Sequence, residues 1–560
     1  MTGDRSGLNA GRFRTATAVA ATILAFVVVW VAMTAPVEIR RLTAGTFAQI
    51  PLEGLLLVAL VLVLPPRARR VTAVVVGVVL GLLTIIKIFD IGFFEVLDRP
   101  FDSVIDWRYL GSAVGVVDDS VGRTAAIGVV VAAGLLSLVI LVLMPWSALR
   151  LTQTAARHPS GSWRAVAALG AVWVLCAALG AQVTPGVPIA STRIADYAYG
   201  QVSRIPSEIR DQHAFTRAAA GDPLRRVPAD NLLTGLRGKD VIFAFVESYG
   251  RVAVQGSSFS PGVNSVLDSG TRTLQAAGFS ARSAFLTSPT FGAVSWLAHS
   301  TLQSGLWVDS QQRYDALVTS KRLTLSDAFK RAGWRTVGNI PANTHDWPQG
   351  SFYHYDKLYD SRNVGYAGPK FGYPTMPDQY TLDAFHRLEL SKTHRKPVMA
   401  EIDLISSHAP WSRTPHMIDW DKVGDGSVFH GMPEQAPSEK VVWRSPQSVR
   451  AAYGQSIEYS LNTLISFVQT YADDDLVLIL LGDHQPATIV SGHGASHDVP
   501  ITIIAHDPAV MDRISGWGWQ DGMRPDPQAP LWPMDDFRDC FLTAYGPQPQ
   551  PAAPAAPSPR

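Results

Sequence analysis

Five long apolar runs crowd the first third of the chain, at approximately residues 15–34, 46–64, 71–95, 124–144 and 165–183. A helix needs ~20 apolar residues to cross a bilayer, and each run is of that order. The runs are continuous, without the polar face that a helix in a soluble bundle carries. They predict five transmembrane helices, and the rest of the fold has to be arranged around them. The first is not read as a cleaved signal peptide, because its apolar core is long and four more spans follow. Whole-chain averages conceal this division: the 560 residues carry a formal net charge of +1, with 17% of them charged. That balance leaves no electrostatic footprint for nucleic acid. Two cysteines, Cys176 and Cys540, cannot build a disulfide framework and are read as structural.

Basic residues orient the spans. Arg5, Arg12 and Arg14 precede the first, Arg67, Arg69 and Arg70 follow the second, and Arg150, Arg157 and Arg164 follow the fourth. With five spans these groups share one side. The other side has Arg40 and Arg41, then Asp98, Asp102, Asp106, Asp118 and Asp119. The expectation is a multi-pass cell-membrane protein with a cytoplasmic N-terminus and everything after about residue 185 extracytoplasmic. Lys87 and Asp90, on one face of the third span, read as a self-neutralising pair near the outer interface. The expected domains are a five-helix membrane domain at 1–184, an extracytoplasmic linker at 185–235, a catalytic domain at 236–545 and a Pro/Ala-rich tail at 546–560.

In the polar part, apolar runs of strand length end on groups able to ligate a metal. "DVIFAFVE" ends on Glu247, and "LVLILLGDH" ends on Asp483 and His484. Continuous apolar runs suit parallel strands covered on both faces. Further strands are expected at 335–340, 397–406 and 499–507, with helices between, such as 324–333 and 448–471. Alternating strands and helices predict an α/β sandwich with a mostly parallel central sheet. In such sheets ligands bind beyond the carboxyl ends of the strands. Glu247, the Ser406–His408 region and Asp483–His484 all fall at such ends and are expected to meet in one crevice. Glu, Asp and His together suit one divalent metal, Mn2+ or Zn2+.

"TSPTFGAVSWLAHSTLQSGL", residues 287–306, is a Gly/Ser/Thr/Pro-rich loop running into a helix. Ser295 stands at the expected N-cap. A hydroxyl there faces free backbone N–H groups and the positive end of the helix dipole, a seat for an anionic phosphoryl group. Coordination to a divalent metal would lower its pKa enough to make it a nucleophile.

These pieces, in this order, resemble the alkaline phosphatase/sulfatase superfamily, in particular its membrane-anchored lipoteichoic acid synthase and phosphoethanolamine transferase branch. The resemblance implies an α/β sulfatase-like domain with one metal held by Glu247, Ser295, Asp483 and His484, and Ser295 as nucleophile, with Thr290 and Ser288 as fallbacks. "SWLAHSTLQSG" has the spacing of the sulfatase nucleophile motif but carries Leu297 for its Pro and His299 for its Arg. The signal for formylglycine conversion is therefore missing, which points to phosphoryl chemistry on an unmodified hydroxyl. The resemblance further implies catalytic or phosphate-gripping roles for His408 and His497, and substrate contacts from His345, Asp346, Trp347 and His493. The implied activity is transfer of a phosphoglycerol- or phosphoethanolamine-like headgroup from a phospholipid donor to an envelope glycan or lipid, through a phospho-Ser intermediate. A phosphodiesterase or sulfatase-like hydrolase and an inactive envelope scaffold remain as alternatives.

Overall fold

The structure, a computed structural model, describes residues 5–547 of the chain, with side chains from residue 13 and excluding those of 119–121. The sequence readings that rest on Arg5, Arg12, Asp119 and residues 548–560 of the tail lie outside the described residues. The chain divides into two compact units: residues 1–95 with 99–210, and residues 96–98 with 211–560.

The first unit is helical: α1 (Arg5–Thr34), α2 (Leu52–Val63), α3 (Pro66–Leu97), α4 (Tyr109–Val121), α5 (Arg123–Arg157) and α6 (Pro159–Leu179). Among the described residues, four helices are long and apolar enough to cross a membrane, in the ranges Phe13–Thr34, Pro66–Leu97, Arg123–Arg157 and Pro159–Leu179. The expected span at 46–64 is different. A 3-10 turn at Ala44–Ala48 and a two-residue strand at Ile50–Pro51 precede the 12-residue α2. Pro51 forces extended backbone at the helix entrance and Pro65–Pro66 closes its exit. At 1.5 Å per residue α2 is ~18 Å long, short of a ~30 Å hydrocarbon core.

Lys87 and Asp90, both buried in α3, find separate partners rather than each other. Lys87 Nζ donates to the carbonyls of Ala32 and Ala35, and Asp90 accepts from the Phe101 amide and the Tyr197 hydroxyl. Residues 185–235, read as a linker, contain the 28-residue α7 (Arg193–Ala220). Both cysteines are free.

The second unit is built on a nine-stranded sheet. Its strands are β1 (Asp240–Val246), β2 (Ser280–Thr287), β3 (Arg335–Ile340), β4 (Lys357–Asp360), β5 (Val398–Leu404), β6 (Leu476–Gly482), β7 (Asp498–Ala505), β8 (Gln520–Asp521) and β9 (Leu531–Pro533). The spatial order is β8-β2-β7-β6-β1-β5-β3-β4, with β9 also on β2. The block β6-β1-β5-β3-β4 is parallel. β7 runs antiparallel to both β6 and β2, and β8 is antiparallel to β2. The sheet is therefore mixed: parallel across that block and between β9 and β2, antiparallel where β7 and β8 join it. An apolar run does not encode strand direction, which is what the sequence reading of this sheet lacked.

Burial explains why β1 and β6 read as unbroken apolar runs, since every residue in each is buried. Alternate residues feed two cores. Ile242, Ala244 and Val246 pack with α8 (Ser260–Ala276) and α10 (Pro446–Tyr471), whereas Val241, Phe243 and Phe245 pack with α9 (Ser295–Ser304) on the opposite face.

Candidate active site

Register brings the first two acidic groups together. Val246 pairs with Gly482, so the next residues on the adjacent parallel strands are Glu247 and Asp483. Parallel neighbours lie ~4.8 Å apart. On the other flank of β1, Val246 pairs with Leu404 of β5, which leads into the turn carrying Ser406, Ser407 and His408. Gly482 is required by close approach, because a Cβ there would lie 1.9 Å from the Tyr249 carbonyl oxygen.

Glu247, Asp483 and His484 each offer one ligand atom, all within 4.8 Å of one another. His484 Nε2 lies 3.5 Å from Glu247 Oε1 and 3.6 Å from Asp483 Oδ2. His484 Nδ1 donates to the Gln485 carbonyl at 2.8 Å, and Nε2 faces the two carboxylates. Asp483 Oδ1 accepts from the Ser248 and His484 amides, both at 2.7 Å. Asp483 Oδ2 is buried and has no hydrogen-bond partner. Burial and the neighbouring Glu247 push the Asp483 carboxyl up. Burial acts the same way on Glu247, but His408 and His484 outweigh it and hold that carboxyl low.

Ser295 joins this cluster. Its Oγ donates to Glu247 Oε2 at 2.9 Å and lies 3.2 Å from His484 Nε2. The expected N-cap role is not what the structure shows. Ser295 is the first helical residue, and the cap position belongs to Val294, which makes no side-chain cap. The hydroxyl is instead committed to the carboxylate and imidazole. Val294 takes φ +63°, a left-handed conformation unusual for a β-branched residue, and such strain concentrates at functional sites. Three contacts tie the Ser295 loop to the Asp483–His484 loop: the Ser288 hydroxyl donates to the Asp483 carbonyl, the Ser288 amide to the His497 carbonyl, and the Gly292 amide to the Gln485 carbonyl.

The fallback hydroxyls face elsewhere. Ser288 Oγ is used on the Asp483 backbone, and Thr290 Oγ1 lies 3.4 Å from it. His408 donates from Nδ1 to the Ala409 carbonyl at 2.6 Å and stacks on Tyr373 at 3.9 Å. His497 is half-buried, with Nδ1 3.3 Å from the Ser288 carbonyl, and burial lowers its pKa. His493 Nδ1 lies 3.1 Å from Asp98 Oδ1. His345 contacts Thr344, Asp346 pairs with Arg362, and Trp347 donates to Tyr314, and these contacts lie outside the four-residue cluster.

Sequence reading overlooked two supports. Asp378 anchors the His408 turn reciprocally: the Ser406 amide donates to its Oδ1, and its own amide donates to Ser406 Oγ. Burial pushes its carboxyl from 3.8 up to about 6. A raised carboxyl pKa means that the folded state holds the proton more tightly. The associated stability is complete below about pH 4 and is lost as pH rises through about 6. Asp378→Asn should flatten that slope by roughly 2–3 kcal/mol across the window, read as denaturation midpoints between pH 4 and 7. The second support is a group of His299, Glu401 and Asp403, whose ligand-type atoms also lie within 4.8 Å of one another. Its sequence signal was a pair of acidic residues alternating through the otherwise apolar strand "PVMAEIDL".

No family model matches the chain, and no curated protein matches it. Among solved structures the chain is similar to the lipoteichoic acid synthase LtaP from Listeria monocytogenes, with 14% identity over 57% of this chain and 74% of that one and a TM-score of 0.38. It is also similar to the Streptococcus pyogenes phosphoglycerol transferase GacH in complex with sn-glycerol-1-phosphate, at 14% identity over 61% and 81% with a TM-score of 0.35. The C-terminal periplasmic domain of EcEptC from Escherichia coli, in complex with Zn, is 13% identical over 50% and 76% with a TM-score of 0.34.

Proposed function

We propose that the second unit is a divalent-metal-dependent phosphoryl-group transferase. It moves a phosphoglycerol- or phosphoethanolamine-like headgroup from a phospholipid donor to an envelope glycan or lipid, through a phosphorylated Ser295. The observation that carries this reading is the position of Ser295 Oγ, within hydrogen-bond distance of both Glu247 and His484 beside the orphaned Asp483 Oδ2. A buried carboxylate oxygen without a donor costs free energy unless a cation or proton meets it. The donor set of Glu247, Ser295, Asp483 and His484 fits Mn2+ or Zn2+. When bound there, such an ion supplies a lowered hydroxyl pKa and neutralises charge on the phosphoryl group.

The remaining work falls to the chain. Ser295 Oγ attacks phosphorus, its hydrogen directed at Glu247 Oε2. The positive end of the ten-residue α9 favours the anionic group being transferred. His408, with Nδ1 fixed on the Ala409 carbonyl, keeps Nε2 for a proton at the leaving oxygen. His497, whose pKa burial lowers, is assigned the opposite task at the acceptor, taking the proton from its attacking hydroxyl. A second attack, by an acceptor hydroxyl, frees Ser295.

The long apolar helices supply the anchor that keeps the site near lipid headgroups. An outer location for the second unit with a cytoplasmic N-terminus requires an odd number of crossings. In this reading the short α2 completes the fifth with the turn and strand before it.

The test is full-length protein in nanodiscs containing lipid labelled at the headgroup phosphate, with Mn2+ or Zn2+ and a glycan or lipid acceptor. Label should move to the acceptor only when the metal is present. Label released solely to water makes the protein a hydrolase, and label that stays on the lipid under both metals leaves the scaffold reading.

A further inference from the structure

The α9 side of the sheet carries two carboxylates among apolar neighbours. Glu401 and Asp403 alternate on β5 next to Phe243 and Phe245 of β1. Glu401 is 2% exposed. Burying a carboxylate costs several kcal/mol unless it is paired and hydrogen-bonded, so this pair calls for an explanation. Its partners come mainly from the helix of the nucleophile. His299 Nδ1 lies 3.0 Å from Glu401 Oε1 and 3.5 Å from Asp403 Oδ1. The other Glu401 oxygen, Oε2, accepts from Gln303 and, at 2.9 Å, from the Tyr355 hydroxyl. Asp403 Oδ1 has no hydrogen-bond partner, which leaves His299 as its nearest compensation. The His299 ring lies flat on Phe245, with centroids 3.8 Å apart and planes 13° apart.

Residues four apart share one face of a helix, so Ser295, His299 and Gln303 form one stripe on α9. Phe245 stands two residues before Glu247 on β1. A closed path therefore runs from Glu247 through Phe245 and His299 to Ser295, and the 2.9 Å hydrogen bond from Ser295 to Glu247 completes it.

Resting on the phosphoryl-transfer reading above, we propose that His299 is a positioning residue for the nucleophile. Clamped on Glu401, Asp403 and Phe245, it fixes the height of α9 on the sheet so that Ser295 Oγ stays seated between Glu247 and His484. Burial alone would lower the imidazole pKa, but Asp403 and Glu401 more than reverse this and push it up to about 9. A misplacement of ~1 Å at a reacting group can cost ~100-fold in rate, which sets the size of the expected effect.

The test uses full-length protein, bis(p-nitrophenyl) phosphate with Mn2+, and Co2+ as a spectroscopic probe. His299→Leu should lower kcat by about 30-fold or more with KM within about twofold, measured well below the thermal midpoint. His299→Asn, whose amide nitrogen replaces Nδ1, should recover most of that loss. The visible Co2+ spectrum of His299→Leu should shift in the same direction as that of Ser295→Ala, whereas a merely structural residue would leave it unchanged. Glu401→Gln carries the same expectations if His299→Leu does not accumulate. Retention of kcat within threefold, or an unshifted Co2+ spectrum, overturns the proposal. So does uptake of two Co2+ by the wild type and one by His299→Leu, which would make the cluster a second cation site. Wild-type protein without Ser295-dependent turnover sinks the underlying functional reading instead, and the Co2+ spectra then decide the role of His299 alone.

Discussion

Ser295→Ala should leave a folded protein that still binds one Mn2+ per chain and should lower phosphodiester turnover by about a thousandfold or more. The size follows from the role. Removing a covalent nucleophile leaves only the binding and electrostatic contributions of the site. The stability effect should be small, because the hydroxyl caps no helix and its partners Glu247 and His484 keep each other's company. One lost hydrogen bond to a charged group is worth ~1.5–3 kcal/mol, and alanine suits a first helical turn. Metal affinity should fall by no more than about tenfold, since three donors remain. Mass spectrometry of quenched wild-type enzyme should find the transferred phospho-headgroup on the peptide containing Ser295 and none in the variant. Turnover preserved in Ser295→Ala would move the nucleophile to Thr290, 3.4 Å from Ser288 Oγ in the preceding loop.

The strands that carry this site were legible because they are buried on both faces. Residues 240–246 and 476–482 were readable as strands from apolar content alone, and their shared termination on acidic groups marked a common edge of the sheet. Strand direction was not legible, since an apolar run such as "VPITIIA" reads the same in either orientation. Ser295 could be placed near a helix start, but not one residue inside it, because the strained Val294 backbone leaves no compositional trace. His299 stood out only as a departure from a motif. Its partners lie 102 and 104 positions away on β5, and nothing local connects them.

In the helical unit, hydropathy located the four long apolar helices, whereas the window at 46–64 holds a turn, a two-residue strand and a 12-residue helix. Composition at 46–64 satisfied a span, whereas Pro51 and Pro65 divided it. Hydropathy sums over a window and is insensitive to the single residues that interrupt hydrogen bonding. Lys87 and Asp90 illustrate a related limit. Their spacing on one helix face suggested a mutual pair, but buried charges settle on whichever donors and acceptors the neighbouring segments supply, here the α1 carbonyls, the Phe101 amide and the Tyr197 hydroxyl.

Asp483→Asn should separate stability from function most sharply. The metal-free site holds two carboxylates in one buried cluster, and burial first, then repulsion from Glu247, push the Asp483 carboxyl up. Asparagine keeps an oxygen for the Ser248 and His484 amides and removes the second charge. Neutralising one member of a buried like-charge pair should stabilise the metal-free protein by roughly 1–3 kcal/mol, seen as a higher thermal midpoint in chelator. The same change turns the orphaned Oδ2 position into an N–H donor, which repels a cation, so Mn2+ and Zn2+ affinity should fall by more than about a hundredfold and turnover should disappear. Wild-type protein at a metal concentration 100 times its Kd gains ~2.7 kcal/mol. The order of the midpoints should therefore invert: the variant above wild type in chelator, and at or below it in saturating metal. The crossing has a cause that the sequence alone could not expose. In the proposed reading, a site built to receive a cation is strained without it, and the strain resides on Asp483 Oδ2, a buried oxygen that no donor meets. Thermal scans of both proteins, with chelator and across a Mn2+ series, check this directly. Parallel curves that never cross would mean that Asp483 does not face a metal.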